Sequence, residues 1–239
     1  MSNDTSLDLV TGAFSYSGSS IAEQLLDSGR SVRTLTFHPE RAHPLQARVE
    51  TVRYRFDDLT ALTRSLEGVR TLYNTYWVRF DHGATSFDEA IKNSRILFTA
   101  AKTAGVERIV HVSISNASLE SPLPYFRGKA EVEDALAHSS VQYSIVRPTW
   151  IFGGDRDVLT NNIAWILRRM PVFALPGSGR YPVQPVHVND LARICIDADS
   201  NGDLVLDAAG PERKAFRDLV AVIRSAVNAR SPIIHIPHH

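Results

Sequence analysis

The glycine turn near the start of the chain constrains the fold most, because it joins an apolar run to a helical pattern. Leu7–Val10 has the composition of a buried strand, and Gly12 follows directly after a threonine. Gly18 opens a segment whose apolar residues recur at helical spacing as far as Leu26. Such a turn lets the backbone approach a phosphate closely, and the helix N-terminus offers N–H groups and the positive end of a dipole. The segment predicts strand, tight turn and helix, with phosphate binding and an ordinary strand-to-helix turn as the two interpretations.

The charge balance of the chain argues against two classes of main partner. The 239 residues are 44% hydrophobic and 22% charged, which is typical of a soluble globular protein with one large domain or two small ones. Lysine plus arginine balance aspartate plus glutamate at 26 each. Neither nucleic acid nor an anionic membrane is therefore the expected partner. We expect a small-molecule substrate, bound by a monomer or a homodimer.

Cysteine use and the termini bear on the compartment. Cys195 is the only cysteine, so no disulfide forms within the chain, and a cytoplasmic location is predicted. Cys195 lies in an apolar helical stripe and is interpreted as part of the core. No apolar run is long enough to predict a membrane span, and the first residues lack a signal-peptide pattern. Two histidines at the C-terminus are too few to predict a metal site.

Strand and helix patterns alternate through the first 150 residues. After the first strand, the predicted strands are Val32–Thr36, Thr51–Arg55, Thr71–Thr75, Arg108–Ser113 and Val141–Val146. The predicted helices between them include Leu59–Leu66, Ser86–Ala104 and Tyr125–His138. Strands separated by helices of this length predict right-handed βαβ units and an α/β fold with a doubly wound parallel sheet. Binding sites of such sheets lie at the carboxyl ends of the strands.

The composition changes after Pro148. Glycine, proline and aromatic residues cluster at 149–154 and 176–179. Further helices are predicted at Val158–Arg169, Asn189–Ala198 and Lys214–Val227, with a strand at Val205 and Leu206. We interpret residues 1–150 as a nucleotide-binding domain whose sheet is completed by later segments. Residues 151–239 are interpreted as a small substrate lobe, whose loops would select the substrate.

The glycine turn resembles the TGxxGxxG turn of short-chain dehydrogenase/reductase proteins, especially the extended and atypical branches. Gly12 and Gly18 match that pattern, whereas Ser15 stands at the middle glycine position. The resemblance implies a Rossmann-type fold with a small C-terminal substrate lobe and an NAD(P) cofactor. The cofactor would contact the turn through Gly12, Phe14, Ser15, Tyr16 and Gly18. A serine hydroxyl can hydrogen-bond phosphate, but serine adopts a positive φ less readily than glycine.

The segment after the second strand bears on the choice of cofactor. Dinucleotide folds that bind NAD often carry a carboxylate here for the ribose 2′-hydroxyl, and the expected position near Thr36 has none. Thr36, His38 and Arg41 are candidates to contact a 2′-phosphate instead. Family members that prefer NADP often have arginine directly after the strand, where this chain has Phe37. We predict NADP(H) as the preferred cofactor and NAD(H) as possible, with Arg41 on a solvated loop as the alternative.

Polar residues after the third and fourth strands are further candidates for cofactor contact. Asp57 follows the third strand, where this fold meets adenine, or caps the next helix. Asn74 and Thr75 end the fourth strand, where the ribose and nicotinamide would pass. Tyr76 and Trp77 follow, and they either wall the pocket or pack beneath the lobe.

Tyr125 and Lys129 carry the predicted chemistry. Four residues apart, they share one helix face, and a neighbouring ammonium stabilises a phenolate, which suits acid–base work. The pair matches the family's YxxxK pattern, which implies that Tyr125 transfers a proton and Lys129 holds the ribose. A packed tyrosine beside a solvated lysine is the alternative. Ser113 or Ser115, at the end of the fifth strand, would orient a substrate oxygen.

Two later segments extend the resemblance. Arg147-Pro148-Thr149 resembles the start of the family's RPxxxxG segment, which implies that Pro148 and Thr149 lie near the nicotinamide. Val186–Ala192 is similar to a segment of epimerase-like members. The combination resembles the NAD(P)-dependent epimerase/dehydratase and NmrA-like groups. Two functions follow: an oxidoreductase or epimerase that transfers hydride to or from a small carbonyl or alcohol, or a non-catalytic NADP(H)-binding redox sensor or partner protein.

Overall fold

The computed structural model describes residues 6–78, 86–200 and 202–237. It divides the chain into two compact units. The first, which we call the sheet unit, comprises Met1–Pro148 and Asn189–Ala208. The second, the small unit, comprises Thr149–Val188 and Ala209–His239. The sequence predicts a boundary near residue 150, and the structure adds the segment 189–208 to the first unit.

Strands and helices alternate through most of the described chain. The strands are β1 (Leu7–Thr11), β2 (Ser31–Thr36), β3 (Glu50–Arg53), β4 (Val69–Asn74), β5 (Arg108–Val112), β6 (Gln142–Pro148), β7 (Ile151–Phe152), β8 (Phe173–Pro176), β9 (Pro182–Val183), β10 (Val186–His187), β11 (Leu204–Ala208), β12 (Lys214–Ala215) and β13 (Ile233–Ile236). The helices are α1 (Tyr16–Asp27), α2 (Leu59–Ser65), α3 (Phe87–Ala104), α4 (Pro124–Ala137), α5 (Val158–Arg169), α6 (Val188–Asp197) and α7 (Phe216–Ala226).

A seven-stranded sheet organises the sheet unit. Its strand order is β11-β6-β5-β4-β1-β2-β3, and every pairing within it is parallel. The predicted α/β fold with a doubly wound parallel sheet is thereby confirmed. The order reverses between β1 and β4, which is the switch point where ligands bind in such sheets, at the carboxyl ends of the strands.

Apolar burial on the sheet faces holds this unit together. Every residue of β5 is buried, as expected for a parallel strand covered on both faces. Leu9, Leu72 and Ile109 of adjacent strands are fully buried in one cluster with Leu97 of α3 and Leu136 of α4. Burial of each such side chain contributes about 1.5–3 kcal/mol.

A buried ionic network fixes segment 189–208 to the sheet. Asp199, just after α6, lies 2.5 Å from Arg70 and accepts a 2.6 Å hydrogen bond from the Thr71 hydroxyl. Arg30 contacts both Asp199 and Asp8, at 3.1 and 2.5 Å. Burial alone would raise the pKa of Asp199, but the Thr71 hydroxyl and the two guanidiniums hold that pKa below its ordinary value. The network lies at the amino ends of the strands, away from the carboxyl edge.

Helix ends follow the sequence signals in most places. Ser86 caps α3 by accepting from the Glu89 N–H, and Gly105 closes the helix with φ of 78°. α7 differs from expectation, because it begins at Phe216 rather than at Lys214. Residues 214–215 instead pair with β9 as the short strand β12.

The small unit has its own apolar core between α5, α7 and two short strands. Leu167, Leu175 and Val220 are buried there, and β13 pairs with β8 in parallel. β10 pairs with β7, also in parallel.

Cys195 belongs to the sheet unit; it is buried on α6, and burial raises the pKa of its thiol to about 12. The thiol is therefore protonated at neutral pH, as a core residue should be.

Candidate functional site

The glycine turn joins β1 to α1 at the switch point. Gly12 has φ of +66°, a conformation that side-chain-bearing residues rarely adopt. Its N–H donates to the Leu35 carbonyl at 2.9 Å, which fixes the turn against the end of β2. The Ala13 N–H donates to the Thr34 hydroxyl at 3.0 Å. These bonds hold the turn in one shape before any ligand arrives.

Ser15 replaces a family glycine without strain. Its backbone is extended, with φ of −96° and ψ of 177°, so no glycine is required there. The Ser15 hydroxyl donates to the Gly12 carbonyl at 2.6 Å and makes no side-chain cap for α1. The substitution therefore closes the turn more firmly and leaves the helix end to another acceptor.

Gly18 serves the packing of the turn itself. A Cβ at this position would lie 2.3 Å from the Gly12 carbonyl oxygen, so only glycine lets α1 approach β1 this closely. The expected contact between Gly18 and a pyrophosphate is thus limited to its backbone. Within the described residues, the N–H groups of Ser17 and Gly18 have no acceptor, and the first turn of α1 has no acidic residue. This helix end fits an anion.

A cavity of about 510 Å³ opens beside the turn, entirely within the sheet unit. Its walls come from the carboxyl ends of β1, β2 and β4 and from α3. The predicted cofactor residues that line it are Gly12, Phe14, Ser15, Thr36, His38, Arg41 and Thr75. The cavity therefore brings together the predicted phosphate turn and the predicted 2′-phosphate contacts.

The rim after β2 carries a cationic side chain. Arg41 lines the cavity, and its guanidinium makes no hydrogen bond or ion pair with the described residues. Arg53 on the next strand is instead paired with Glu40 at 3.2 Å. The Thr36 hydroxyl accepts from the His38 N–H at 3.1 Å and so shapes this loop. Thr36 ends β2 without a carboxylate, as the sequence indicated.

Aromatic side chains form part of the cavity wall; the sequence named Tyr76 and Trp77 for this place and missed Phe37 and Tyr54. Phe37, Tyr54 and Tyr76 line it, from the ends of β2, β3 and β4. Their rings form one cluster with Phe56, with centroids 4.7–6.2 Å apart. Phe37 is 45% exposed. The signal was the aromatic residue at alternate positions after the third strand, Tyr54 and Phe56.

Asn74 lies behind the cavity rather than in its wall. The side chain is fully buried, and its carbonyl oxygen accepts from the Thr11 hydroxyl and the Tyr76 N–H at 3.2 and 3.1 Å. The amide nitrogen therefore donates to His111 Nδ1 at 3.0 Å. Burial, with a contribution from the Lys129 charge, lowers the pKa of His111 well below its usual value, so the ring is neutral. Asn74 braces the strand ends, because all its polar atoms already have partners.

Other predicted cofactor residues also lie away from the cavity wall. Asp57 is exposed, and its neighbour Asp58 caps α2 by accepting from the Ala61 N–H at 2.9 Å. Tyr16 is half-buried in the first turn of α1. Pro148 is buried at the end of β6, where its carbonyl accepts from the Ser115 N–H at 3.0 Å.

Thr149 begins the small unit. Its hydroxyl donates to the Gln184 carbonyl at 2.5 Å. The residue is half-buried there. Its expected contact with nicotinamide stays a prediction.

Lys129 is buried against the end of β5. The residue is only 3% exposed, and its ammonium donates to the Val112 carbonyl at 3.1 Å. Burial lowers the pKa of Lys129 to about 7, although the nearby Glu133 carboxylate opposes that shift. The alternative of a solvated lysine is therefore wrong. Such burial of an ammonium is costly and marks this position as a candidate for function.

Tyr125 and the two serines come from the same two elements as this contact, α4 and the end of β5. Tyr125 lies one helical turn before Lys129 on α4, and its ring meets Trp77 edge-on with centroids 6.0 Å apart. Ser113 directly follows Val112, and its buried hydroxyl has no partner among the described residues. Ser115 is half-buried. The orphaned hydroxyl favours Ser113 as the group that would meet a substrate oxygen.

The described residues hold no group of three or more histidine, cysteine, aspartate or glutamate side chains arranged to hold a metal ion. None of the described helices combines the length and apolar character needed to cross a membrane.

Two curated relatives are similar over most of this chain. A mitochondrial protein of Mus musculus, NADH dehydrogenase [ubiquinone] 1 alpha subcomplex subunit 9, is 28% identical over 70% of this chain and 45% of its own length. The photosystem II assembly factor Ycf39 of Cyanidium caldarium is 27% identical over 80% of this chain and 61% of its own length. The chain thus spans about half the length of the curated relatives it matches.

A solved structure shows the same fold. The dTDP-glucose 4,6-dehydratase DesIV of Streptomyces venezuelae, solved with NAD bound, superposes with a TM-score of 0.77. The two chains are 22% identical, and the match covers 98% of this chain and 85% of the dehydratase. Residues 12–163 of this chain, which include the glycine turn and the Tyr125–Lys129 pair, match the family described as NAD(P)H-binding. The chain therefore belongs to the NAD(P)H-binding family and has the fold of this dehydratase, in agreement with its resemblance to the short-chain dehydrogenase/reductase superfamily.

Proposed function

We propose that this protein is an NADP(H)-dependent oxidoreductase or epimerase that acts on a small carbonyl or alcohol. The observation that carries the proposal is the position of Lys129. Its buried ammonium ties α4 to the end of β5 through Val112, beside the unpaired hydroxyl of Ser113 and one turn from Tyr125. A buried lysine with a lowered pKa and an orphaned hydroxyl at the carboxyl edge of the sheet are typical of a site built for a ligand.

The adenosine half of the cofactor fits the cavity of the sheet unit. The N–H groups of Ser17 and Gly18 would donate to the pyrophosphate at the positive end of α1. The aromatic cluster at the cavity offers ring faces to adenine. Arg41 and His38 would meet the 2′-phosphate, and no carboxylate at Thr36 repels it. NAD in the dehydratase of the same fold supports dinucleotide binding, and the rim charge supports the choice of NADP(H).

Residues of α4 and of the end of β5 would then carry out the chemistry. A bound nicotinamide would supply or accept hydride at the substrate carbon. Tyr125 would exchange a proton with the substrate oxygen, Ser113 would orient that oxygen, and a charged Lys129 would favour the phenolate and hold the ribose. We also propose that the small unit selects the substrate and that the protein acts in the cytoplasm.

The proposal is tested by cofactor consumption. Purified protein is incubated with NADPH and a broad panel of small aldehydes, ketones and keto acids, and the loss of NADPH is followed with and without protein. We expect turnover with at least one class of carbonyl, and slower turnover with NADH at equal concentration. Loss of turnover in Ser113→Ala but not in Ser115→Ala would identify the orienting serine. NADPH that binds but is consumed with no carbonyl of the panel would contradict an oxidoreductase role.

A second function, a non-catalytic NADP(H)-binding protein, is favoured by a specific observation. The Trp77 ring lies over the Lys129 ammonium, 4.7 Å from ring centroid to nitrogen, where a ribose would be needed for catalysis. The matched relatives include a subunit of NADH dehydrogenase and an assembly factor. This function predicts tight NADPH binding, no turnover, and retention of bound NADPH when the protein is incubated with carbonyl substrates.

A further inference from the structure

Trp77 occupies a central place that the proposed reaction does not use. Its ring stacks on Phe87, with centroids 5.9 Å apart and an 8° angle between planes, and meets Tyr125 edge-on. It also packs on α4 at Gly128, where an added Cβ would lie 3.1 Å from Trp77 Cη2. The indole thus lies directly on the helix face that carries Tyr125 and Lys129.

The same ring separates Lys129 from the cavity. Trp77 lines the cavity, whereas Lys129 and Tyr125 are not among the described residues of its wall. The ammonium is held by the Val112 carbonyl on one side and by the Trp77 ring face on the other. A cation over an indole face is attracted by the ring electrons, most strongly when both are desolvated. In this arrangement Lys129 has no open path to a ligand in the cavity.

Two buried polar groups near this contact lack hydrogen-bond partners among the described residues. Trp77 Nε1 and the Ser113 hydroxyl are both buried, and neither has a hydrogen-bond partner in the described chain. Buried donors without acceptors are unfavourable. A second arrangement, in which the indole moves and a ligand supplies acceptors to Lys129 and Ser113, would repair this deficit. These two unpaired donors therefore favour a contact between Trp77 and Lys129 that a ligand can replace.

We propose that Trp77 is a cover over Lys129, so that the cavity binds the phosphorylated adenosine half of NADP(H) while the indole withholds the ammonium from the nicotinamide ribose. This inference rests on the proposed NADP(H) site. It adds that the resting protein recognises an adenosine bisphosphate nearly as well as the whole dinucleotide. The nicotinamide half contributes affinity only when the indole–ammonium contact is given up.

Binding measurements separate the two halves of the cofactor. Adenosine 2′,5′-bisphosphate and NADP⁺ are titrated by calorimetry into the wild type, Trp77→Ala, Trp77→Phe and the control Trp165→Ala, whose side chain is 56% exposed in the small unit. In the wild type we expect the two affinities to agree within about threefold. In Trp77→Ala, the affinity for NADP⁺ should rise about tenfold relative to the affinity for the bisphosphate, as expected when a contact worth about one tenfold step in Kd is removed. Trp77→Phe should lie between.

Fluorescence gives an independent readout in a folded protein. A Trp150→Phe, Trp165→Phe variant retains Trp77 as its only tryptophan, and NADP⁺ should shift its emission to longer wavelength while the bisphosphate leaves it unchanged. Equal affinity gains for both ligands in Trp77→Ala, no gain for NADP⁺, or an unmoved Trp77 emission on NADP⁺ binding would each overturn the cover. If neither ligand binds the wild type, the proposed NADP(H) site fails, and the cover fails with it.

Discussion

Two regions at the carboxyl edge of the sheet differ in how they present their polar groups. The Gly12–Gly18 turn faces an open cavity, with backbone donors and Arg41 available to a ligand. In the Tyr125–Lys129 region Tyr125 is half-buried and Lys129 is buried, and the Lys129 ammonium contacts a carbonyl and an indole. The difference teaches that two candidate parts of one site can lie at the same sheet edge without being equally accessible. The accessibility of the turn depends on local backbone geometry. The accessibility of Lys129 depends on the side chain that packs over it.

The largest expected effect lies at the buried region. Tyr125→Phe removes the proposed proton-transfer group, and loss of such a group typically costs 10²–10⁴-fold in rate. We expect that loss in any carbonyl reduction found for the wild type, with NADPH affinity within about threefold of wild type because the phenol is not needed for the adenosine half. Tyr181→Phe, in the small unit, is the matched control. Turnover that survives Tyr125→Phe would show that the proton moves by another group.

Lys129→Met tests the cost of the buried ammonium. The pKa of Lys129 is about 7 in the folded chain against an ordinary value of 10.5, so the folded state binds fewer protons between these values. The contribution of Lys129 to the free energy of unfolding therefore rises with pH across that window, and it is least favourable below pH 7. One pKa unit corresponds to about 1.4 kcal/mol. We therefore expect the free energy of unfolding of the methionine variant to exceed that of the wild type by about 2–4 kcal/mol at pH 6.

Denaturant unfolding at pH 6 and pH 9 checks the sign of this effect. The gap between Lys129→Met and wild type should shrink as pH rises, while Lys102→Met, at an exposed position on α3, should track the wild type at both values. A methionine variant that is less stable than wild type at pH 6 would mean that the ammonium stabilises the fold.

Gly18→Ala tests the packing of the open region. The added Cβ would meet the Gly12 carbonyl at 2.3 Å, and backbone shifts of this kind cost about 1–3 kcal/mol. We expect lower unfolding free energy together with weaker NADPH binding. Gly202→Ala, where an added Cβ meets nothing within 4 Å, should change neither. A fully stable Gly18→Ala variant with normal binding would refute the role given to this glycine.

Arg41→Ala tests a single contact, at the rim of the cavity. A charge-assisted hydrogen bond to phosphate contributes about 1.5–3 kcal/mol, so the preference for NADPH over NADH should fall by about tenfold to a hundredfold at low salt. NADH affinity should stay the same. Arg53→Ala is the control, since Arg53 is paired with Glu40 and does not line the cavity. An unchanged ratio would place the 2′-phosphate elsewhere.

The turn was predictable because its signals are local. An apolar run, a glycine that needs positive φ and a helical pattern specify the strand, turn and helix within 20 residues. The parallel sheet followed from the alternation of strands and helices. Even the serine at position 15, where the family has glycine, causes no backbone strain, because that residue has an extended backbone.

The rest of the site depends on contacts between distant residues. No local pattern shows that the Asn74 amide forms hydrogen bonds with Thr11 and His111. Nor does one show that the rings of Tyr54 and Phe37 are in contact. The same holds for Trp77, which reaches Lys129 from 52 positions earlier in the chain. The sequence named Trp77 as a wall or packing residue, and only the fold showed which side chain it covers.

The central claim is that the open cavity beside the glycine turn binds the adenosine half of NADP(H). The most direct measurement is calorimetric titration of the wild-type protein with NADPH, repeated in the presence of saturating adenosine 2′,5′-bisphosphate. We predict one molecule of NADPH bound per chain, with that binding abolished by the bisphosphate. No binding of NADPH, or binding that the bisphosphate leaves unchanged, would contradict the claim.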